Sequence, residues 1–326
     1  MTDANADDGP SLADLGESAV LDAVIAQRPH PVGVHVGPGD DAAVLAAPDG
    51  RVVASTDTLV QDRHFRLDWS TPEQVGRRAI AQNAADIEAM GARPTGYLVA
   101  LVAPADTTVH RAAELSRGAA AEAARTGASV VGGDLVAGPL WTVTVTVLGD
   151  LGGLNPILRS GARPGDVVAV AGELGRSAAG YRLLAGGVAF DDPELADLVG
   201  RYRVPQPPYG QGPLAAAAGA SAMTDVSDGL VRDLGGLAVD SRVGVDLDRA
   251  ALAPDHDALA AAARAVGADA WDWVFGGGED HALVATFGLG AELPTGWRPV
   301  GRITVEGGIR VDGRPWSGAT GWDSFG

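Results

Sequence analysis

The chain has 326 residues, 46% hydrophobic and 20% charged, enough apolar side chain for two packed domains and too much for a disordered polymer. Its formal charge is −18, from 42 acidic residues against 24 basic ones that are all arginine, a balance that repels duplex nucleic acid. Lacking cysteine, it has no disulfide, thiolate zinc site or cysteine nucleophile, and lacking lysine it cannot form a G-x-x-x-x-G-K-[ST] phosphate loop.

Residues 1–10 are polar and acidic, unlike a secretion signal, and read as a disordered tail. No apolar run approaches the roughly 18 residues that span a bilayer, so the chain reads as soluble, without a membrane partner, and cytoplasmic. A helical pattern over 12–27 ends at Arg28-Pro29-His30-Pro31. Strands are expected over 42–47 and 52–60, joined by the turn Pro48-Asp49-Gly50. Thr71-Pro72 opens a helix that runs through 76–90 and stops at Gly91 and Pro94. A strand over 97–103, an alanine-rich helix over 109–125 and a short strand over 129–131 follow. Gly132-Gly133-Asp134 then reads as a turn, and 141–147 alternates threonine with valine as a strand. The glycine-rich stretch 151–156 marks the boundary between an N-terminal domain, 1–150, and a C-terminal domain, 151–326.

The second half continues with a strand over 167–171, a helix over 177–184 and a Pro/Gly-rich linker over 202–213. Helices over 214–220, 229–240 and 258–266 alternate with strands over 221–224, 243–247 and 282–287, the last preceded by the turn Gly276-Gly277-Gly278. Alternating strands and helices in both halves predict two α/β or α+β domains.

Acids recur beside glycines or in short polar breaks: Asp40-Asp41, Ser55-Thr56-Asp57, Asp86, Gly133-Asp134, Asp225-Val226-Ser227-Asp228 and Glu279-Asp280. Carboxylates gathered in one pocket repel each other unless a cation sits among them. Oxygen-only ligands suit Mg²⁺, which bridges carboxylates to substrate phosphates, so the pattern predicts a magnesium site for a polyphosphate. Each segment also has a plainer reading. Ser55-Thr56-Asp57 ends a strand, where alternate residues could serve two ions or simply make a turn. Asp86 lies in a helix among small and apolar neighbours, needing a cation if buried and nothing if exposed. Asp225 or Ser227 could cap the following helix, whose N-terminus is equally a phosphate site. Arg159 could grip a phosphate with two N–H groups or lie idle on the surface. His64 follows the 52–60 strand by a few residues, close to the proposed site, although a lone histidine is usually structural.

Taken together, Gly39–Val44, Ser55–Val60 with His64-Phe65, and Ala85–Pro94 resemble the thiamine-monophosphate kinase family in order and spacing. So do Gly132-Gly133-Asp134, Arg159–Asp166, Asp225–Leu230, Gly277–Asp280 and the closing Gly321-Trp322-Asp323-Ser324-Phe325. The sequence departs from that pattern at Leu135, in 201–209 and at His281-Ala282. The resemblance implies the two-domain fold of aminoimidazole ribonucleotide synthetase, with a mixed N-terminal sheet whose strands join a homodimer and a C-terminal α/β domain. It implies transfer of the ATP γ-phosphoryl group to thiamine monophosphate. It also implies that several Mg²⁺ ions are bound by Asp41, Ser55, Thr56, Asp57, Asp86, Asp134, Asp225 and Asp228. Of these, Asp57, Asp86 and Asp225 would act in catalysis through the metal. Gly133, Asp134, Arg159 and Ser227 would serve the nucleotide, and His64, Glu279 and Trp322 the thiamine phosphate. The attacking oxygen would belong to a phosphate monoester with a second pKa of about 6, already ionised near neutrality, so no general base is required. Direct in-line transfer without a phosphoenzyme is therefore expected. The competing readings are another ATP-dependent enzyme of the same superfamily and a non-catalytic acidic protein that binds Mg²⁺ or nucleotide.

Overall fold

The computed structural model describes residues 9–15, 30–38, 42–318 and 321. The chain divides into two compact units: one from Met1–Pro48, Ala54–Asn83 and Pro94–Gly149, the other from Asp49–Val53, Ala84–Arg93 and Asp150–Gly326.

The first unit is built on a four-stranded sheet of β3 (Val53–Val60), β4 (Arg93–Ala103), β5 (Val130–Ala137) and β6 (Thr142–Asp150), in the order β3-β6-β4-β5. A two-stranded ribbon, β1 (Val34–Val36) with β2 (Val44–Leu45), belongs to the same unit. The helix Pro72–Ala89 starts on a capping box: the Thr71 N–H donates to Gln74 Oε1 at 3.0 Å and the Gln74 N–H to Thr71 Oγ1 at 3.3 Å. The helix Val109–Arg125 starts on Thr108, whose hydroxyl accepts from the Arg111 N–H. The two helices pack backbone to backbone: a Cβ on Gly76 would fall on the Leu115 carbonyl oxygen, and one on Gly118 on that of Glu73. Beside this crossing the fully buried Glu122 is held by Arg77 at 2.9 Å and Arg125 at 2.6 Å.

The second unit carries a seven-stranded mixed sheet. Its strands are β7 (Val167–Ala171), β8 (Ala222–Val226), β9 (Gly244–Leu247), β10 (Ala282–Phe287), β11 (Trp297–Thr304), β12 (Gly308–Val311) and β13 (Arg314–Pro315), ordered β13-β12-β9-β11-β7-β10-β8. Only β12 and β9 run parallel. Side-chain alternation divides the core between the two faces. Val168 and Val170 join a large cluster with Leu230, Leu234 and Phe275, while Ala169 and Ala171 join a smaller one with Met223, Phe287 and Trp297.

The expected α/β class stands, and the elements over 109–125, 167–171 and 282–287 fall where the sequence puts them. Several others differ. The short strand expected over 129–131 runs on to Ala137, because Gly132, Gly133 and Asp134 pair in parallel with Leu98, Val99 and Ala100. The predicted linker over 202–213 is helical at both ends, within Pro193–Arg203, which is opened by Asp192 accepting from the Glu194 N–H, and within Gln211–Ala217. A further helix, Ala270–Gly276, precedes the glycine turn and is capped in the same way by Asp269. Of the helix expected over 12–27, Leu12–Leu15 is helical and 16–27 lie outside the described residues.

Candidate active site

In the first unit the candidate ligands sit on β3. Strand alternation separates them. Thr56 lies on the exposed face, where its hydroxyl is 3.0 Å from the Val145 carbonyl and 3.1 Å from Thr146 Oγ1, and Thr58 meets Thr144 at 2.9 Å. These four threonines form a cross-strand ladder. Ser55 and Asp57 alternate with them and are half-buried. The Asp57 N–H donates to Asn83 Oδ1 at 3.1 Å, and Asn83, fully buried, is anchored by its own Nδ2–H to the Ala79 carbonyl at 2.8 Å. Asn83 thus fixes the backbone that presents Asp57. Asn83 is not among the acidic motifs, yet an asparagine among helical alanines, three residues before Asp86, is a mediocre helix former and a usable signal in the sequence.

His64 Nδ1 accepts the Val60 N–H at 2.9 Å, which places the neutral ring's proton on Nε2. Asp134 is exposed at mid-strand, its Oδ1 accepting from the Leu135 N–H, and so is not the tip of a turn. Gly133 has a packing reason of its own, since a Cβ there would strike the Val99 carbonyl oxygen.

In the second unit two segments distant in sequence lie side by side. The Glu279 N–H donates to the Ser227 carbonyl at 2.7 Å and the His281 N–H to that of Val226 at 3.0 Å, which sets residues 225–228 against 279–281. Asp225, Ser227, Asp228 and Glu279 are thereby brought together. Neither Asp225 nor Ser227 caps the following helix, Leu230–Ser241. Asp233, in the helix's first turn, instead accepts the N–H groups of Asp228 and Gly229, which precede the helix, both at Oδ2 and 3.0 Å. Burial, then the charge of Asp225, pushes Asp233 up to about 7. Burial raises Asp228 as well, and the neighbouring charges of Glu279 and Asp225 add to it, against Arg232.

The adjacent acids Glu279 and Asp280 separate in function. Asp280 turns inward and accepts the N–H groups of Gly175, at 2.5 Å, and Ser177, at 2.8 Å, capping the helix Arg176–Ala185 from a distance. Burial pushes it up to about 7, against those two hydrogen bonds. Its neighbour His281 donates from Nδ1 to Asp225 Oδ2 at 3.1 Å. Burial works against its cation, but the hydrogen bond to Asp225 and the negative charges of Asp225 and Glu279 outweigh that and push it up to about 10.

Asp86 lies half-buried near the end of the helix Pro72–Ala89, in a stretch, Ala84–Arg93, that belongs to the second unit. Two residues on, Glu88 accepts the Gly210 and Gly212 N–H groups. Arg159 is exposed and paired with Asp240 at 3.0 Å. Asp41 and Trp322 lie outside the described residues.

Among the described residues no three acidic or histidine side chains converge to hold an ion unaided. The donor chemistry nonetheless fits Mg²⁺, which takes one or two carboxylates and completes its octahedron with water and substrate phosphate. Mutual repulsion around Asp228 is the electrostatic situation that a cation relieves.

Residues 39–151 match the N-terminal domain, and residues 163–275 the C-terminal domain, of AIR synthase related proteins. Thiamine-monophosphate kinase of Mycobacterium tuberculosis is 57% identical over 323 residues, covering 98% of this chain and 95% of the relative. The crystal structure of thiamine-monophosphate kinase from Stenotrophomonas maltophilia superposes with a TM-score of 0.80 at 31% identity, over 93% of this chain and 98% of that one. The structure described as AaThiL complexed with AMPPCP and TMP superposes at 0.78 with 29% identity, over 84% and 87%. The two units are those of an AIR synthase-related protein. Within that class, the chain belongs to the thiamine-monophosphate kinase family.

Proposed function

We infer that this chain is a kinase that transfers the γ-phosphoryl group of ATP to thiamine monophosphate, giving thiamine diphosphate and ADP. The observation that carries the reading is the 57% identity to a thiamine-monophosphate kinase along nearly the whole of both chains. ATP is the co-substrate and thiamine monophosphate the acceptor, in keeping with the AMPPCP and TMP bound by the structural relative.

In this reading residues 1–150 form the ATP- and metal-binding domain and 151–326 the C-terminal domain. Several Mg²⁺ ions would be held by Asp41, Ser55, Asp57, Asp86, Asp134, Asp225 and Asp228, with Thr56 contributing from its main chain because its hydroxyl is engaged in the threonine ladder. When bound, Mg²⁺ screens the repulsion between two anionic reactants. Gly133, Arg159 and Ser227 would contact ATP, and His64, Glu279 and Trp322 the thiamine phosphate. His64 Nδ1 accepts the Val60 N–H, which fixes the ring that would face the thiamine phosphate. Asn83 holds the Asp57 backbone, and the hydrogen bonds of Glu279 and His281 to Ser227 and Val226 hold the second group of carboxylates in register. The acceptor oxygen is already ionised near neutrality, so no side chain need remove a proton.

The protein acts in the cytoplasm, as a homodimer joined through strands of its first unit. Exposed Val44, Leu98 and Val136 support that interface. Among the described residues no helix is long and apolar enough to cross a membrane. A coupled ADP-release assay with ATP and Mg²⁺ tests the activity. ADP should appear with thiamine monophosphate, not with formylglycinamidine ribonucleotide, and not after chelation. Binding of Mg-ATP without ADP release would favour the non-catalytic alternative.

A further inference from the structure

We propose that His281 is a positioning residue, which orients the Asp225 carboxylate for the ion it is assigned to hold. The proposal rests on the reading of Asp225 as a metal ligand given above.

The His281 side chain is buried, and its Nδ1 lies 3.1 Å from Oδ2 of the equally buried Asp225. A carboxylate can only accept, so Nδ1 carries the proton and donates it. The bond ties up one oxygen of Asp225 and leaves its other lone pairs available to an ion. A donor behind a metal-binding carboxylate serves this purpose in many metal sites. The other ring nitrogen, Nε2, has no hydrogen-bond partner and stands 3.8 Å from Glu279 Oε2, beyond hydrogen-bond reach. The imidazole therefore lies between an assigned ion ligand and an assigned substrate contact.

The backbone is held in an uncommon conformation to put it there. Glu279 has φ +67° and His281 φ +53°, left-handed values that side chains other than glycine rarely adopt. Between them Asp280 is fixed by the Gly175 and Ser177 amides, and on either side the Glu279 and His281 N–H groups are fixed to Ser227 and Val226. Strain retained against such a framework is a feature of functional sites. A histidine that merely filled the core would need neither the left-handed turns nor a bond to Asp225.

The test compares three substitutions at one position, with Mn²⁺ as the probe. His281→Asn places an amide N–H near the position of Nδ1, His281→Gln near that of Nε2, and His281→Leu removes both. Free Mn²⁺ is measured by electron paramagnetic resonance in the presence of a non-hydrolysable ATP analogue, alongside kcat, KM for each substrate and circular dichroism. His281→Leu and His281→Gln should weaken Mn²⁺ binding about 10–100-fold. His281→Asn should recover most of it. If the leucine variant does not fold, the asparagine–glutamine comparison carries the test. Equal Mn²⁺ affinity in asparagine and glutamine variants, at any level, would overturn the proposal. Asp225→Asn is the separate control: Mn²⁺ affinity equal to wild type there would overturn the metal reading itself.

Discussion

Glu88→Gln should change the pH dependence of stability more than stability itself. Glu88 is only 2% exposed, and its two oxygens accept the Gly210 N–H at 2.8 Å and the Gly212 N–H at 2.7 Å. Burial pushes its pKa from 4.5 up to about 7, against those two hydrogen bonds. The folded state then holds the proton more tightly than the unfolded chain does. The contribution is fully present below about pH 4.5 and is lost as pH rises to about 7. At 1.36 kcal/mol per unit this amounts to about 3 kcal/mol across the window. Glutamine has no proton to lose and contributes no slope there. It keeps one accepting oxygen but turns an NH₂ toward the other glycine amide, leaving a buried donor unsatisfied at a cost of about 1–3 kcal/mol. The variant should therefore be less stable than wild type near the acid end of the window, with the gap closing or reversing above about pH 7. Asp233 and Asp280, also raised to about 7, titrate in both proteins and cancel in the difference. Urea unfolding followed by circular dichroism at several pH values gives that difference directly. Two curves that stay parallel throughout would refute the reasoning.

Gly118→Ala sets helix propensity against packing. Alanine gains up to about 1 kcal/mol in a helix interior, but its methyl would meet the Glu73 carbonyl, and forcing the helices apart costs about 1–3 kcal/mol or more. The melting temperature should fall; a rise would mean that the helices adjust freely. Asp57→Asn should lower kcat by more than about 100-fold while leaving the circular dichroism spectrum unchanged, and full activity would remove Asp57 from the metal set. Incubation with γ-labelled ATP alone should leave the protein unlabelled, because the acceptor phosphate is itself the nucleophile; a trapped labelled protein would demand a two-step route.

Local signals carried much of this molecule. The threonine–valine alternation around 142–147, the Thr71-Pro72 start and the alanine-rich 109–125 are short-range patterns, and each forms the element it suggests. The acidic motifs were visible in the same way, since a run such as Asp225-Val226-Ser227-Asp228 is itself contiguous in sequence. What each acid does was decided by partners far away in the chain. Asp280 turns inward because the amides of Gly175 and Ser177 wait there. Glu88 serves Gly210 and Gly212 across more than a hundred residues. Gly132-Gly133-Asp134 looks like a turn until β4 pairs with it. Composition and spacing determined that oxygen ligands and close backbone approaches would be present. Only the tertiary structure decided which carboxylates cap helices and which are left for ions and phosphates, because a buried carboxylate is committed by whichever donors the folded chain brings to it.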